Sequence, residues 1–153
     1  MRYVEANLLN GEKLEHVSRL HWKVYIAPIF LAVCFFTLGI VVLVSKYTII
    51  GLILFIFSGL LAYTPYLIVN NSEFAVTNKR VIIKLGILKT RSLELFLSKI
   101  EGITVNQSVF GNMFNFGDII ITGSGGTKEM FSGIQSPLDF RKAVQQATDK
   151  IVT

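Results

Sequence analysis

Between Val24 and Val69 the chain is almost unbroken hydrocarbon: VYIAPIFLAVCFFTLGIVVLV, the interruption Ser45-Lys46-Tyr47, then TIIGLILFIFSGLLAYTPYLIV. At about 1.5 Å rise per residue, roughly twenty helical residues cross a hydrocarbon core about 30 Å thick, and each half is long enough to do so. A water-soluble helix of that length would show a polar stripe on every turn, and neither half has one. The pattern predicts two transmembrane helices, 24–44 and 48–69, joined by an outside turn at 45–47. A buried hairpin in a soluble protein is the bland alternative. A chain of 153 residues has too little other material to cover it.

The charges orient this hairpin. Of the fifteen Lys and Arg residues, Arg2, Lys13, Arg19 and Lys23 precede it, Lys46 alone lies in the turn, and the rest follow Asn70. The excess at both ends predicts a multi-pass protein with both termini in the cytoplasm. The first apolar run begins late, is too long for a signal-peptide core, and ends in Val-Leu-Val-Ser-Lys without a small-x-small cleavage site. Within the spans there is no Asp, Glu, Lys, Arg or His, whereas carriers and proton relays place ionisable groups at membrane depth. The helices therefore read as an anchor. Gly51, Ser58, Gly59 and Ala62, with Ala27, Ala32 and Gly39 across from them, offer close packing or oligomer contacts, and Pro65 a kink. Cys34 is the only cysteine, which excludes an intramolecular disulfide and a cysteine-based zinc site.

Residues 1–23 form a cytoplasmic N-terminal segment. From Glu12 onward, Leu14, Val17, Leu20 and Val24 recur near helical spacing, which predicts a short helix lying on the inner membrane surface. Trp22, Lys23 and Tyr25 stand where the chain enters the bilayer, and Lys46 and Tyr47 where it turns. These are the expected interface anchors, because Trp and Tyr favour that boundary and Lys snorkels to it. His16 and His21 are five apart, off the spacing of a helical ligand pair, and no acidic cluster completes a metal site.

From Ser72 to Thr153 the texture changes to short alternating runs punctuated by turns, the pattern of a small β domain. Strands are expected at Glu73–Thr77, Arg80–Leu85, Leu88–Leu97, Ile103–Val109, Asp118–Thr122 and Lys128–Ile134. A glycine-bounded loop, Gly111–Gly117, and a hairpin turn, Gly123-Ser-Gly-Gly126, separate the later ones. Ser136-Pro137 supplies a helix start, and Phe140, Val144, Ala147 and Ile151 form the apolar stripe of a terminal helix. About six or seven strands closed by one C-terminal helix is the α+β layout of a pleckstrin-homology-like (PH-like) barrel.

Several runs carry a resemblance. Phe74-Ala-Val-Thr-Asn-Lys-Arg80, Lys84-Leu-Gly-Ile-Leu88, Ser98-Lys-Ile-Glu-Gly102 and Val105-Asn-Gln-Ser108 with Gly111 and Gly117 are similar to those of the bacterial PH-like membrane proteins. So are Thr122-Gly-Ser-Gly-Gly126, the N-terminal Leu-Leu-Asn-Gly-Glu12, and His21-Trp22. Where many members have a basic residue after the glycine of the loop, this chain has Asn112. The resemblance implies two transmembrane helices ahead of a cytoplasmic PH-like domain, in the inner membrane of a bacterium. It implies no enzymatic activity.

The residues agree with a non-enzymatic reading. The β domain contains neither histidine nor cysteine, so its serines lack the usual base, and its carboxylates are scattered. The Gly123–Gly126 turn lacks the lysine and helix start of a phosphate loop. No cofactor or small-molecule substrate is implied. The sharper feature is basic: Arg80, Lys84, Lys89 and Arg91 flank the turn around Gly86. With an even-numbered loop, Arg80, Ile82 and Lys84 share one face with Lys89, Arg91 and Leu93, while Val81, Ile83 and Leu85 point to the core. That arrangement resembles the basic pattern with which many PH domains hold anionic headgroups, and it equally describes the solvated face of a basic protein. Nucleic acid is a poorer partner, because Phe74, Phe96, Phe110, Phe114, Phe116 and Phe131 are expected as core or loop anchors and not as a stacking platform. Two functions of different class follow. The first is a membrane-anchored interaction module that binds membrane lipids, a protein partner or a second copy of itself. The second is a small oligomeric transporter or channel component, which the charge-free spans disfavour.

Overall fold

The computed structural model describes residues 2–86 and 90–152. They make two compact units: the apolar stretch Trp22–Asn70, and a second unit built from the residues up to His21 together with those from Asn71 onward. In chain order, helix α1 (Arg2–Ala6) and strand β1 (Leu14–Ser18) come first. A single 3-10 turn, Trp22–Tyr25, leads into the long helices α2 (Ile26–Val44) and α3 (Thr48–Asn70). Strands β2 (Glu73–Thr77), β3 (Arg80–Leu85), β4 (Arg91–Phe96) and β5 (Ile100–Asn106) follow. A short helix α4 (Val109–Met113), strands β6 (Phe116–Gly123) and β7 (Lys128–Gln135), and helix α5 (Pro137–Val152) complete the chain.

Helices α2 and α3 are long and apolar enough to cross a membrane, and only 11% of each apolar window is buried, unlike the core helix of a soluble protein. Their connection is tight because Lys46 takes a left-handed backbone, φ +66°. The Lys46 N–H then donates to Leu43 O at 3.0 Å and the Tyr47 N–H to Val42 O at 3.2 Å, the two bonds that close a helix whose last residue turns left-handed. The buried positions are Ala32 and Gly39 on α2, and Gly51, Ser58 and Pro65 on α3. Each set repeats every seven residues, the spacing that keeps a seam facing its neighbour. Gly51 is needed there: a Cβ would lie 2.6 Å from the Leu43 side chain and 3.2 Å from Gly39 O. Ser58 Oγ donates to Ala32 O at 2.8 Å. Ala27, Gly59 and Ala62 are exposed and take no part in this seam. Pro65 cannot donate to Leu61 O; the Thr64 hydroxyl reaches that carbonyl at 3.2 Å and Leu60 O at 2.7 Å.

The other unit is a seven-stranded β structure. Strands β1-β2-β3-β4 form one antiparallel sheet and β5-β6-β7 a second. Beyond β1 the chain bridges the two: Leu20 pairs with Ile134, the Gln135 N–H donates to Arg19 O at 2.9 Å, and the His21 N–H donates to Gly133 O at 2.7 Å. The inner faces meet on an aromatic core in which Phe74 stands edge-on to Phe131 and Phe140, with centroids at 6.2 and 6.5 Å. Phe140, Val144 and Ala147 carry α5 into this core, while Ile151 is exposed. The hairpin turn between β6 and β7 has Gly125 and Gly126 at positive φ, as a turn of that shape requires. At the start of α5 the Ser136 carbonyl, not its hydroxyl, accepts from the Asp139 and Phe140 N–H groups. The hydroxyl instead accepts from Asn115 Nδ2 at 2.9 Å.

Two expectations are corrected. The segment after Glu12 is not a surface helix but strand β1, with Ser18 opposite Phe74, Val17 opposite Ala75 and His16 opposite Val76. Alternation wins because a sheet edge 56 residues away in sequence offers β1 a ladder and a core. The β unit therefore does not begin at Ser72: its first strand precedes the apolar helices, and the whole α2–α3 hairpin is the connection of one β-hairpin. The fourth strand begins at Arg91, and its expected start at Leu88 lies outside the described residues.

The discontinuity can be tested. Residues 71–153 alone should remain unfolded, whereas residues 1–21 joined to 71–153 through a short flexible linker should give a dispersed amide NMR spectrum and melt cooperatively. Phe140→Ala in that joined form should cost about 3–5 kcal/mol, the usual penalty for truncating a core aromatic. A dispersed spectrum from 71–153 alone would show that β1 is dispensable.

Candidate functional site

The basic hairpin is positioned by its register. Lys84 stands opposite Ser92, Leu85 opposite Arg91, and Ile83 opposite Leu93, so residues 86–90 form an odd-numbered loop. Directly paired residues share a face. Arg91 therefore lies on the face of Ile83 and Val81, opposite to that of Arg80, Ile82 and Lys84, and Lys84 pairs with Ser92. The expectation of one shared cationic face is corrected by this one-residue difference. Arg91 pairs with Glu129 and lies 6.0 Å from the centroid of Phe131. Lys84 holds its ammonium 4.5 Å above the Tyr3 ring, a cation–π arrangement. Lys89 lies outside the described residues.

Arg80 is not a surface cation at all. The face expected to be solvated is covered by the N-terminal arm: Val4 packs with Ala75 and Ile82 in a buried cluster flanked by Tyr3 and Leu8. Glu73 anchors the start of α1, accepting from the Val4 N–H at 3.0 Å and the Tyr3 N–H at 3.4 Å, where a helix start favours negative charge. At the other end of the arm Arg80 grips Glu12 with two bonds, Nε to Oε1 at 3.0 Å and Nη2 to Oε2 at 3.1 Å. It also pairs with Glu94 through Nη1 and donates to Asn7 O at 2.6 Å. The Arg80 side chain is 8% exposed and that of Glu12 fully buried, so neither charge is free for a ligand.

The turn Thr77-Asn-Lys-Arg80 finishes the dock. Thr77 Oγ1 donates to Glu12 Oε1 at 2.7 Å, while accepting from the Arg80 N–H at 3.0 Å. The Lys13 N–H donates to Asn78 Oδ1 at 2.8 Å, the Asn78 N–H to Lys13 O at 3.1 Å, and Lys79 Nζ to Asn10 O at 3.1 Å. Burial pushes the Glu12 carboxyl up, but the hydrogen bonds from Arg80, Leu9 N–H and Thr77, with the Arg80 charge, outweigh it and hold the group below the ordinary carboxylate range. The hydrogen bond to Glu12 raises Arg80 despite the opposing effect of burial, and the charges of Glu12 and Glu94 add to it. Sequence reasoning named Leu-Leu-Asn-Gly-Glu12 and Thr77-Asn-Lys-Arg80 as separate motifs. Their meeting as one lock was missed, and the hint lay in a lone carboxylate beside a glycine in an otherwise apolar and amide run.

The β1–β2 pair has its other end at Ser18 and Phe74. Ser18 is opposite Phe74, so the chain leaves this unit for α2 and returns from α3 at one end of the β1–β2 pair. The β3–β4 loop lies at that end too, since the Gly86 N–H meets Ser72 Oγ at 3.4 Å. The expected interface anchors Trp22, Lys23 and Tyr25 occupy the 3-10 turn that follows His21, and Trp22 is 54% exposed. Lys46 and Tyr47 form the far turn of the helical hairpin, with Tyr47 exposed. Three of the phenylalanines expected as anchors, Phe96, Phe110 and Phe114, are exposed, while Phe74 and Phe131 are buried. Among the described residues no group of three or more His, Cys, Asp or Glu side chains could hold a metal ion.

Comparison with known proteins gives one finding. The family model described as bacterial PH domain matches residues 26–148, most of the chain. Neither a curated protein nor a solved structure matches it.

The lock should be pH-sensitive. Glu12 has a depressed value in the folded state, so it stabilises the fold at pH above its unfolded value of about 4.3, and this stability is lost as pH falls through the folded value. Hydrogen exchange of the β2 and β3 amides should accelerate in that acid window. Glu12→Gln should remove that part of the pH dependence while lowering stability at neutral pH by about 3–5 kcal/mol, because Arg80 loses a buried partner. Parallel pH profiles for Glu12→Gln and the parent would assign the acid sensitivity elsewhere.

Proposed function

The chain belongs to the bacterial PH domain family, and from that premise we propose that it is a non-enzymatic, membrane-anchored interaction module. In this reading α2 and α3 span the inner membrane of a bacterium. The PH-like unit sits in the cytoplasm against the inner leaflet and offers its outward surface to a protein partner or a second copy. One observation carries the proposal: β1 and β2 are paired across the apolar hairpin, Ser18 against Phe74. One domain built from both flanks requires both flanks on the same side of any membrane the hairpin crosses. The Lys and Arg excess on those flanks then selects the cytoplasm.

Attraction to the leaflet is the second part of the proposal. The β3–β4 loop begins beside Ser72, the residue at which the chain returns from α3. Lys84, Lys89 and Arg91 flank or occupy that loop, and each exposed cation near an anionic leaflet gains on the order of 1 kcal/mol within a Debye length. Arg80 takes no part. Cations split between two faces and a loop favour general charge attraction over a shaped headgroup pocket. The charge-free spans give the transporter alternative no support.

Two measurements test this. In a Cys34→Ala background, a cysteine replacing Lys46 should react with a membrane-impermeant thiol reagent in intact cells, and one replacing Ser124 should react only after lysis. The reverse pattern would overturn the topology. A fluorophore at Thr90 of the full chain in lipid nanodiscs should be shielded from an aqueous quencher when anionic lipid is present, and exposed as salt rises. Replacing Lys84, Lys89 and Arg91 with Gln should abolish that shielding; shielding that persists would remove the hairpin from the membrane.

A further inference from the structure

Among the described residues of the β unit, helix α4 carries a run of exposed apolar side chains. Val109 is 86% exposed, Phe110 67%, Met113 66% and Phe114 47%. From Gln107 to Gly117 the sequence QSVFGNMFNFG holds no charged residue. A patch of this kind marks a binding surface, since a solvated loop gains nothing from such side chains.

The loop is also built to stay rigid with its apolar side chains outward. Ser108 Oγ caps the helix by accepting from the Gly111 N–H at 3.0 Å. Gln107 Nε2 donates to Gly111 O at 3.2 Å and to Phe116 O at 3.0 Å. Gly111 is pressed so closely onto β6 that a Cβ would lie 2.6 Å from Phe116 O, and at Gly117 one would lie 2.8 Å from Asn106 O. Several polar groups of the loop are therefore tied inward, which lowers the cost of removing its tip from water.

Its place in the fold identifies what covers it. Phe116, on which α4 stands, holds its ring 4.9 Å from that of His21. His21 is the last residue before Trp22 and the apolar helices. The base of the uncharged loop thus lies beside the last residue of the β unit before the chain enters the apolar stretch. We propose that α4 is a membrane-surface wedge, with Val109, Phe110 and Met113 seated in the headgroup–acyl boundary of the leaflet that α2 enters. Phe-type side chains seat about 5–10 Å into that boundary, and the backbone beside them must be hydrogen-bonded to follow. The wedge rests on the spanning role proposed for α2 and α3. It adds a third fixed point, so that the PH-like unit cannot swivel freely about its two chain junctions.

The test uses the full chain in nanodiscs, in a Cys34→Ala background, with an environment-sensitive fluorophore at one of three introduced cysteines. Val109→Cys reports the wedge, Gln146→Cys on α5 reports the solvent-facing side, and Ile56→Cys on α3 reports the span. The Val109 probe should emit to the blue, lose most of its emission to shallow brominated lipid, and resist aqueous iodide. The Gln146 probe should show the opposite. Ile56 should be quenched by lipid brominated deep in the chain. If Ile56 is quenched as expected but Val109 responds to iodide like Gln146, the wedge is wrong and the spans stand. If Val109 resists both quenchers, a protein surface covers α4 and the proposal fails. If Ile56 is quenched by iodide and not by lipid, the spanning reading itself fails and takes the wedge with it. Phe110→Asp should restore iodide quenching at Val109, and an unchanged response would mean the probe and not α4 seeks the lipid.

Discussion

The antiparallel pairing of β1 with β2 is the constraint on which the rest of the structure depends. Their residues are joined by the whole of α2 and α3, yet Ser18 and Phe74 lie opposite each other, as they would across an ordinary turn. A flexible connection of that length would oppose closure through chain entropy. Here the seam Ala32-Gly39 against Gly51-Ser58-Pro65 folds the connection back on itself, so its ends return together.

The Glu12–Arg80 pair has a different task. Buried ion pairs contribute little net stability over a well-packed apolar substitute, because desolvation offsets the attraction, but breaking one partner away is costly. Their best attested use is to specify one arrangement among several. That use fits here: the apolar cluster of Val4, Ala75 and Ile82 supplies burial, and the directional bonds of Arg80 to Glu12 fix how the arm lies on it. Arg80 satisfies four acceptors on three segments: Glu12 twice, Glu94 and the Asn7 carbonyl. A lysine would keep the charge and lose the fork that holds them.

What the sequence disclosed and what it hid divide along the same line. The apolar runs, the β2–β3 hairpin around Asn78-Lys79, the Gly125-Gly126 turn and the buried face of α5 as far as Ala147 are local patterns, and each appears where its period places it; Ile151, the last position of that stripe, is exposed. Strand β1 was illegible for a physical reason. Leu14, Val17 and Leu20 fit a helical stripe as well as His16, Ser18 and Leu20 fit alternation, and only a distant partner strand decides between them. The basic hairpin failed by one residue. Lys84 and Arg91 share a face only if the loop length is even, and nothing in Gly86–Thr90 fixes its parity. Arg80 looked like the first member of a cationic row because its carboxylate partner lies 68 residues earlier in the chain. Helix α4 was hidden by its shortness, since five residues are too few to show a period.

The β1–β2 pair is thus held from both ends. At Ser18 and Phe74 the apolar hairpin fixes how far one strand can travel along the other. At Leu14 and Thr77 the fixing is done by Glu12, whose carboxylate takes hydrogen bonds from both Thr77 and Arg80. A slip of one residue would turn every side chain of β1 to the opposite face, bringing His16 out of its edge contact with Phe140 and pulling Glu12 from its arginine. Either clamp alone leaves one end of a five-residue strand free to fray. With both, a strand whose own composition barely favours extended structure becomes a fixed part of the four-stranded sheet.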